Sequence, residues 1–228
     1  MATYSDTFSG RPDCTLYIDV TDGTPNAASN QSTVSFTLRV VGNNSSFNGF
    51  SGSYSITVNG TPYTGSWTYD FRVDNTVTLR TGTQVVTHDT NGNKSITVLG
   101  TATDGNGGTP LGTATITSKT FVLNPLPGTP SAAPTLTRDS AGTTITVVSQ
   151  TSGTTATVTD YEYRQSTDGS TWGTATSMGT DATIAVTGLT STQTYYYQTR
   201  VRTADGVGGW SASANIIGVP GAPATITP

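Results

Sequence analysis

Apolar and polar residues alternate with a period of two along most of this chain. Cys14, Leu16, Ile18 and Val20 alternate with Thr15, Tyr17 and Asp19, and Val34, Phe36, Leu38 and Val40 alternate with Ser35, Thr37 and Arg39. Successive side chains of a strand point to opposite faces, so each apolar set defines one buried face. Tyr54, Ile56 and Val58 run into Asn59-Gly60, a hairpin signal because both turn residues tolerate positive φ, and Tyr63, Gly65, Trp67 and Tyr69 return from it. Runs at 77–80, 85–88, 95–99 and 114–122 complete seven to nine short strands, the content of a two-sheet antiparallel sandwich.

The C-terminal half repeats the style. Strands are expected around Leu136 and over 144–148, 158–164, 182–186, 195–203 and 211–217, with turns at Asp168-Gly169, Gly188 and Asp205-Gly206. Along 195–203, Tyr195, Tyr197, Thr199, Val201 and Thr203 share the face assigned to the core, and Tyr196, Gln198, Arg200 and Arg202 share the other. Glu162, between Tyr161 and Tyr163, falls on the solvent side of its strand. The expected fold class is all-β, two tandem antiparallel β-sandwich modules.

Between the halves, residues 125–134 hold four prolines, which can neither join a strand ladder nor continue a helix. The segment reads as an extended, semi-rigid linker holding two modules apart. The expected organisation is an N-terminal sandwich over 1–124, the linker over 125–134, a second sandwich over 135–219 and a Pro-rich tail over 220–228. That tail, with Ile226 as its one sizeable apolar anchor, is a candidate to lie along a neighbour's sheet edge. Tyr17, opposite the face of Cys14 and Leu16, is the other candidate surface contact.

Composition sharpens the picture. The chain carries 50 Thr and 26 Gly, against one Glu, two Lys, one His and one Cys. Thr favours strands and Gly turns, whereas Glu and Lys are the stock of exposed helix faces, so a helical protein is excluded. One Cys and one His exclude an intramolecular disulfide framework and the usual Cys/His zinc cages. Each half carries a net charge of −2, so neither offers the basic face that nucleic acid demands. With no apolar run of membrane-spanning length and no signal-peptide pattern at residues 1–6, we expect a soluble chain made in a cytoplasm, with no membrane insertion.

Chemistry-bearing clusters are few. His88 and Asp89 are adjacent on a strand, point to opposite faces and form no local dyad; His88 reads as the cap of a strand end beside a tight turn. Glycoside hydrolysis needs two acids facing one cleft, and Glu162 is the only glutamate. The loops at 89–93 and 104–108 space oxygen ligands as calcium loops do, but each offers one carboxylate, so turn formation is the preferred reading. Tyr63, Trp67, Tyr69 and Phe71, with Tyr54 across the hairpin, fit a sugar-stacking platform or a core, and their shared face favours core. No catalytic, cofactor-binding or metal-binding residue is assigned.

Two resemblances add to this reading. Tyr161-Glu162-Tyr163-Arg164 before Ser166-Thr167-Asp168-Gly169, then Gly188-Leu189 with Tyr195 six residues after Leu189, Val201-Arg202 and Gly208-Gly209-Trp210-Ser211 resemble a fibronectin type III domain. The resemblance implies a tyrosine corner built on Leu189 and Tyr195. The family's strand-B tryptophan is absent near Val147-Val148-Ser149, so Tyr163, Trp172 or Trp210 is expected to fill that volume. In the N-terminal half, Asn30-Gln31-Ser32-Thr33-Val34, Val58-Asn59-Gly60 and the stretch from His88-Asp89 to Thr97-Val98 resemble β-sandwich modules of siphophage tail proteins.

That second resemblance implies a virion component and brings no catalytic residue with it. A virion protein also reconciles a composition typical of extracellular sandwiches with the lack of a signal peptide and disulfides, since it is assembled in the host cytoplasm and acts outside. The expectation is a non-enzymatic structural protein of a tailed bacteriophage, a minor tail or tail-tip component, without cofactor. Alternatives are a carbohydrate-binding adhesin and a capsid decoration protein. Expected partners are other virion proteins, copies of the chain in a symmetric assembly, and host cell-surface glycans, with no nucleic acid.

Overall fold

The computed structural model describes residues 1–42, 48–104, 111–139, 144–190 and 192–217. Ile226, the C-terminal tail and loop residues 105–108 lie outside them. Among the described residues every regular element is a strand, and the pairings of Ala2–Phe8 with Arg11–Asn26, Val158–Ser166 with Thr194–Thr203 and Asn48–Val58 with Ser95–Asp104 are antiparallel. By contacts the chain divides into two units. The first comprises 1–24, 32–86 and 94–123, and the second comprises 25–31, 87–93 and the chain from Asn124 onward.

The first unit is built on β1 (Ala2–Phe8), β2 (Arg11–Asn26), β3 (Gln31–Gly42), β4 (Asn48–Val58), β5 (Thr61–Asp70), β6 (Thr76–Thr87), β7 (Ser95–Asp104) and β8 (Thr113–Val122). These form two four-stranded sheets, in the orders β1-β2-β3-β6 and β5-β4-β7-β8. Both contribute to one core, in which the even-numbered residues from Cys14 to Val20 and from Val34 to Val40 are at most 2% exposed. Trp67, Tyr69 and Phe71 are buried there with ring centroids 5.1 and 5.0 Å apart, and Tyr63 and Tyr54 pack beside them half-buried. These aromatics are core, as their shared face implies. At the Asn59-Gly60 turn, φ is 46° and 80°, the left-handed pair that a two-residue hairpin requires.

Two features were not anticipated. β1 was missed because Asp6 interrupts the apolar alternation of Ala2, Tyr4 and Phe8. Its carboxylate instead accepts the Thr115 N–H at 2.8 Å, while the Tyr4 hydroxyl donates to Thr120 O at 2.9 Å, tying β1 to β8 across the two sheets. The runs at 77–80 and 85–88 belong largely to one strand, β6, whose pattern is broken at Gly82. A Cβ there would lie 2.5 Å from the Phe36 ring, so the gap in the pattern is the space that Phe36 occupies.

The second unit contains β9 (Thr135–Arg138), β10 (Ile145–Val148), β11 (Val158–Ser166), β12 (Thr176–Gly179), β13 (Thr183–Val186), β14 (Thr194–Thr203), β15 (Gly206–Val207) and β16 (Ala214–Ile217). One sheet runs β13-β10-β9; the other runs β12-β11-β14, with β15 and β16 both paired to β14. Ile145, Val147, Met178, Val186, Tyr195 and Tyr197 form the core between them. The tyrosine corner is present: the Thr190 N–H donates to the Tyr195 hydroxyl at 2.8 Å. Of the three aromatics expected to replace the absent strand-B tryptophan, Tyr163 packs on this core, 6.2 Å from Tyr197, and the two tryptophans do not.

The segment expected to be an extended, semi-rigid linker is packed within this second unit. Leu126, Pro127, Gly128 and Pro130 are buried. The Leu126 N–H donates to Gly92 O at 2.8 Å, Thr129 N–H to Thr90 O at 3.1 Å, and the Thr154 hydroxyl to Leu126 O at 2.6 Å. Proline removes donors from a strand ladder but leaves apolar rings and carbonyls. Where the remaining N–H groups find partners, such a segment buries as well as any other.

Candidate interaction surfaces

Tyr17 stands on the outer face of β2, half-buried, as its alternation predicts. The Arg39 guanidinium lies 4.4 Å from its ring centroid, a cation–π contact that covers one face of the ring. Arg39 Nε also donates to Asp19 Oδ2 at 2.7 Å, and the Thr3 hydroxyl donates to Asp19 Oδ1 at 2.7 Å. Burial raises the Asp19 carboxyl, but the bonds from Arg39 and Thr3 outweigh it and leave its pKa below the ordinary value.

His88 is 4% exposed, with Nδ1 2.9 Å from Gly92 O, and its own carbonyl accepts from the Asn30 amide at 3.0 Å. Asp89 Oδ1 accepts the N–H groups of Asn91 and Asn93, both at 2.9 Å. Imidazole and carboxylate are thus each committed to shaping the 88–93 turn rather than to each other. Among the described residues, no group of three or more His, Cys, Asp or Glu side chains is placed to hold a metal ion.

The outer face of β5-β4-β7-β8 is a field of hydroxyls. Register aligns Ser66, Ser53, Thr103 and Thr113 in one row across the four strands, and Thr64, Ser55, Thr101 and Thr115 in the next. Ser53 and Thr103 hydroxyls are 2.8 Å apart. Much of the Thr excess is spent on such uncharged positions, where a β-branched polar residue suits a pleated, half-exposed surface.

The strongest cluster is on the outer face of β11 and β14. Glu162 lies on this outer face, as its alternation implied, yet is only 6% exposed. Cross-strand register sets Glu162 opposite Arg200, with Arg202 two residues on. Arg200 Nε reaches Glu162 Oε2 at 2.6 Å, and Arg202 Nε and Nη2 reach Oε1 at 3.0 and 2.5 Å. Burial raises the Glu162 carboxyl; the hydrogen bonds and charges of the two arginines more than offset it and hold its pKa below the ordinary value.

From Arg200 the row continues by stacking. Trp210 has the Arg200 guanidinium 4.4 Å from its ring centroid and the Arg164 guanidinium 4.4 Å from it, and Arg164 lies 4.7 Å from the ring centroid of Trp172. Arg164 Nε and Nη2 both donate to Gln198 Oε1, at 2.9 and 2.5 Å, and the Gln198 amide donates to Ser211 O at 2.9 Å. Burial, then the nearby Arg200 charge, lower the Arg164 pKa.

Local chemistry positions both indoles. Ser211 exchanges bonds with Thr199, N–H to carbonyl at 2.8 Å and Thr199 N–H to Ser211 Oγ at 3.0 Å, which pins Trp210 beside β14. Asp168 Oδ1 accepts the N–H groups of Ser170 and Thr171 at 2.8 and 2.7 Å, and these bonds depress its pKa and fix the turn leading to Trp172. Sequence reasoning missed this row because it joins residues up to 46 positions apart, from Arg164 to Trp210. The available signal was the run of alternate outward residues Gln198, Arg200 and Arg202 opposite a lone glutamate.

A family model described as a siphovirus protein of unknown function (DUF859) matches residues 1–202. Among solved structures, the sixth fibronectin type III domain of human fibronectin type III domain containing protein 3 is 19% identical. It covers 46% of this chain and 96% of that domain, with a TM-score of 0.37. A two-domain fibronectin type III segment of chicken tenascin is 11% identical over 94% of this chain and 99% of that one, with a TM-score of 0.35. No curated protein matches the chain.

Proposed function

The chain belongs to the DUF859 family of siphovirus proteins, and from that premise we propose that it is a non-enzymatic structural component of the virion, carried in the tail. The carrying observation is the extent of the family match, which runs through the whole first sandwich and most of the second. The groups that would do acid–base chemistry are already engaged: His88 with Gly92, Asp89 with its turn, Glu162 with two arginines. The first unit, which shares the tail-protein resemblance with the 25–31 and 87–93 segments, is the anchor in the particle. The second unit, with its Arg/Trp row, is the part that meets what lies outside.

Labelling the protein on intact particles and imaging them by cryo-electron microscopy tests the location. Density on the tail is the expected result; density confined to the capsid overturns the tail assignment. Particles grown with a chain truncated after Asn124 are expected to retain the truncated protein, and its loss from particles would reverse the assignment of the anchor.

A further inference from the structure

We propose that the Arg/Trp row on the outer face of β11 and β14 is a binding site for an acidic polysaccharide. Three of the four basic residues of 125–228 gather there against two carboxylates, Glu162 and, across from Arg202, Asp160, in a half of net charge −2. Glu162 is shared by Arg200 and Arg202. Arg164 makes its hydrogen bonds to an uncharged amide oxygen, so its charge has no carboxylate counter-ion among the described residues. The indole N–H groups of Trp172 and Trp210 carry no hydrogen bond within the described chain either. Asp160, which accepts from the Ser177 hydroxyl, lies at the Arg202 end; at the Arg164 end the exposed inventory is donors and positive charge, and an indole's edge is itself its positive rim. Its complement is acceptor-rich and anionic.

The shape selects the polymer. Arg164 and Arg200 flank one indole ring, each 4.4 Å from its centroid, so the cations follow one another along a line. A linear chain bearing carboxylates or phosphates on successive sugar units meets such a line by repetition and needs no enclosed pocket. A folded protein partner needs about 800 Å² on each side for a stable interface, more than six side chains on one flat sheet face supply. This inference does not depend on where in the particle the protein sits.

The test is affinity electrophoresis of the full chain through gels containing polygalacturonate, neutral dextran or polyglutamate. Polygalacturonate is expected to retard the wild type, dextran is not, and raising the salt is expected to weaken retardation, as for any charge-driven contact. Arg164→Gln is expected to weaken it about fivefold, since one charge-assisted contact is worth roughly 1 kcal/mol or more. Arg39→Gln, in the first unit and already paired with Asp19, is the control and leaves it unchanged. Trp172→Phe keeps a ring for stacking while removing one N–H donor, and is expected to weaken retardation with little change in thermal midpoint. Absence of retardation by polygalacturonate, equal retardation of Arg164→Gln, or retardation by polyglutamate as strong as by the polysaccharide would each overturn the proposal. A phosphate-bearing glycan run in a parallel gel separates carboxylate from phosphate as the preferred charge.

Discussion

Tyr195 and Tyr197 sit two positions apart on β14 and face the same core, yet their hydroxyls have opposite fortunes. The first accepts the Thr190 N–H; the second is buried without a partner, and burial pushes its pKa up. Removing a paired hydroxyl forfeits a bond, whereas removing an unpaired one relieves a desolvation cost. Tyr195→Phe is therefore expected to destabilise the second unit by about 1 kcal/mol, and Tyr197→Phe to leave its thermal midpoint unchanged or raise it. Glu162 gives a pH signature. Its folded pKa lies below its unfolded one, so its contribution is present above the unfolded value of 4.5 and is lost as pH falls through the folded value. Thermal melts should show Glu162→Gln less stable than wild type at neutral pH by on the order of 1–3 kcal/mol, the gap closing in acid where wild-type Glu162 is protonated too.

Among elements, those whose residues alternate cleanly were legible from the chain alone: β2, β3 and the hairpin of β4 and β5, with the buried faces assigned correctly. What escaped were elements whose pattern is interrupted by something distant. β1 carries Asp6 because β8 offers it an N–H, β6 carries Gly82 because Phe36 needs the room, and β12 is a four-residue edge strand too short for periodicity to register. The same holds for the surface row, where alternation puts Glu162 on the outward face but does not reveal that two arginines across the strand bury it. Two glycines separate the physical causes. Gly60 has open space around it and a φ of 80°, so Gly60→Ala is expected to cost only the left-handed penalty, about 1 kcal/mol. Gly82→Ala drives a methyl into the Phe36 ring and is expected to cost more, about 1–3 kcal/mol, measured by chemical denaturation.

At the scale of the whole molecule, two core clusters underlie two units, and the second recruits segments far away in sequence. Residues 25–31 and 87–93 belong to it together with the stretch from Asn124 to Pro130, whose Leu126, Pro127, Gly128 and Pro130 are buried. A cut at Asn124 therefore removes part of its framework, including the carbonyls of Thr90 and Gly92 that receive Thr129 and Leu126. The fragment 124–228 is expected to melt several degrees below the same unit in the full chain, since about 1 kcal/mol corresponds to roughly 4–8 °C for a unit of this size. A fragment melting at the full-chain temperature would show that those bonds contribute nothing to stability. Composition alone makes the proline-rich sequence look like a spacer because it carries no information on partners; four missing donors say nothing about who receives the donors that remain.

Cys14 is the chain's only sulfhydryl, and it lies at 0% exposure in the core of the first unit. A thiol-reactive dye can reach it only when that sandwich opens, so the rate of labelling under native conditions times the opening of one half of the molecule while the other half stays silent. The protein thus carries a built-in clock for its proposed anchor. Run on free chains and on intact particles, that clock would measure how far incorporation slows the opening of the sandwich, without a single engineered residue.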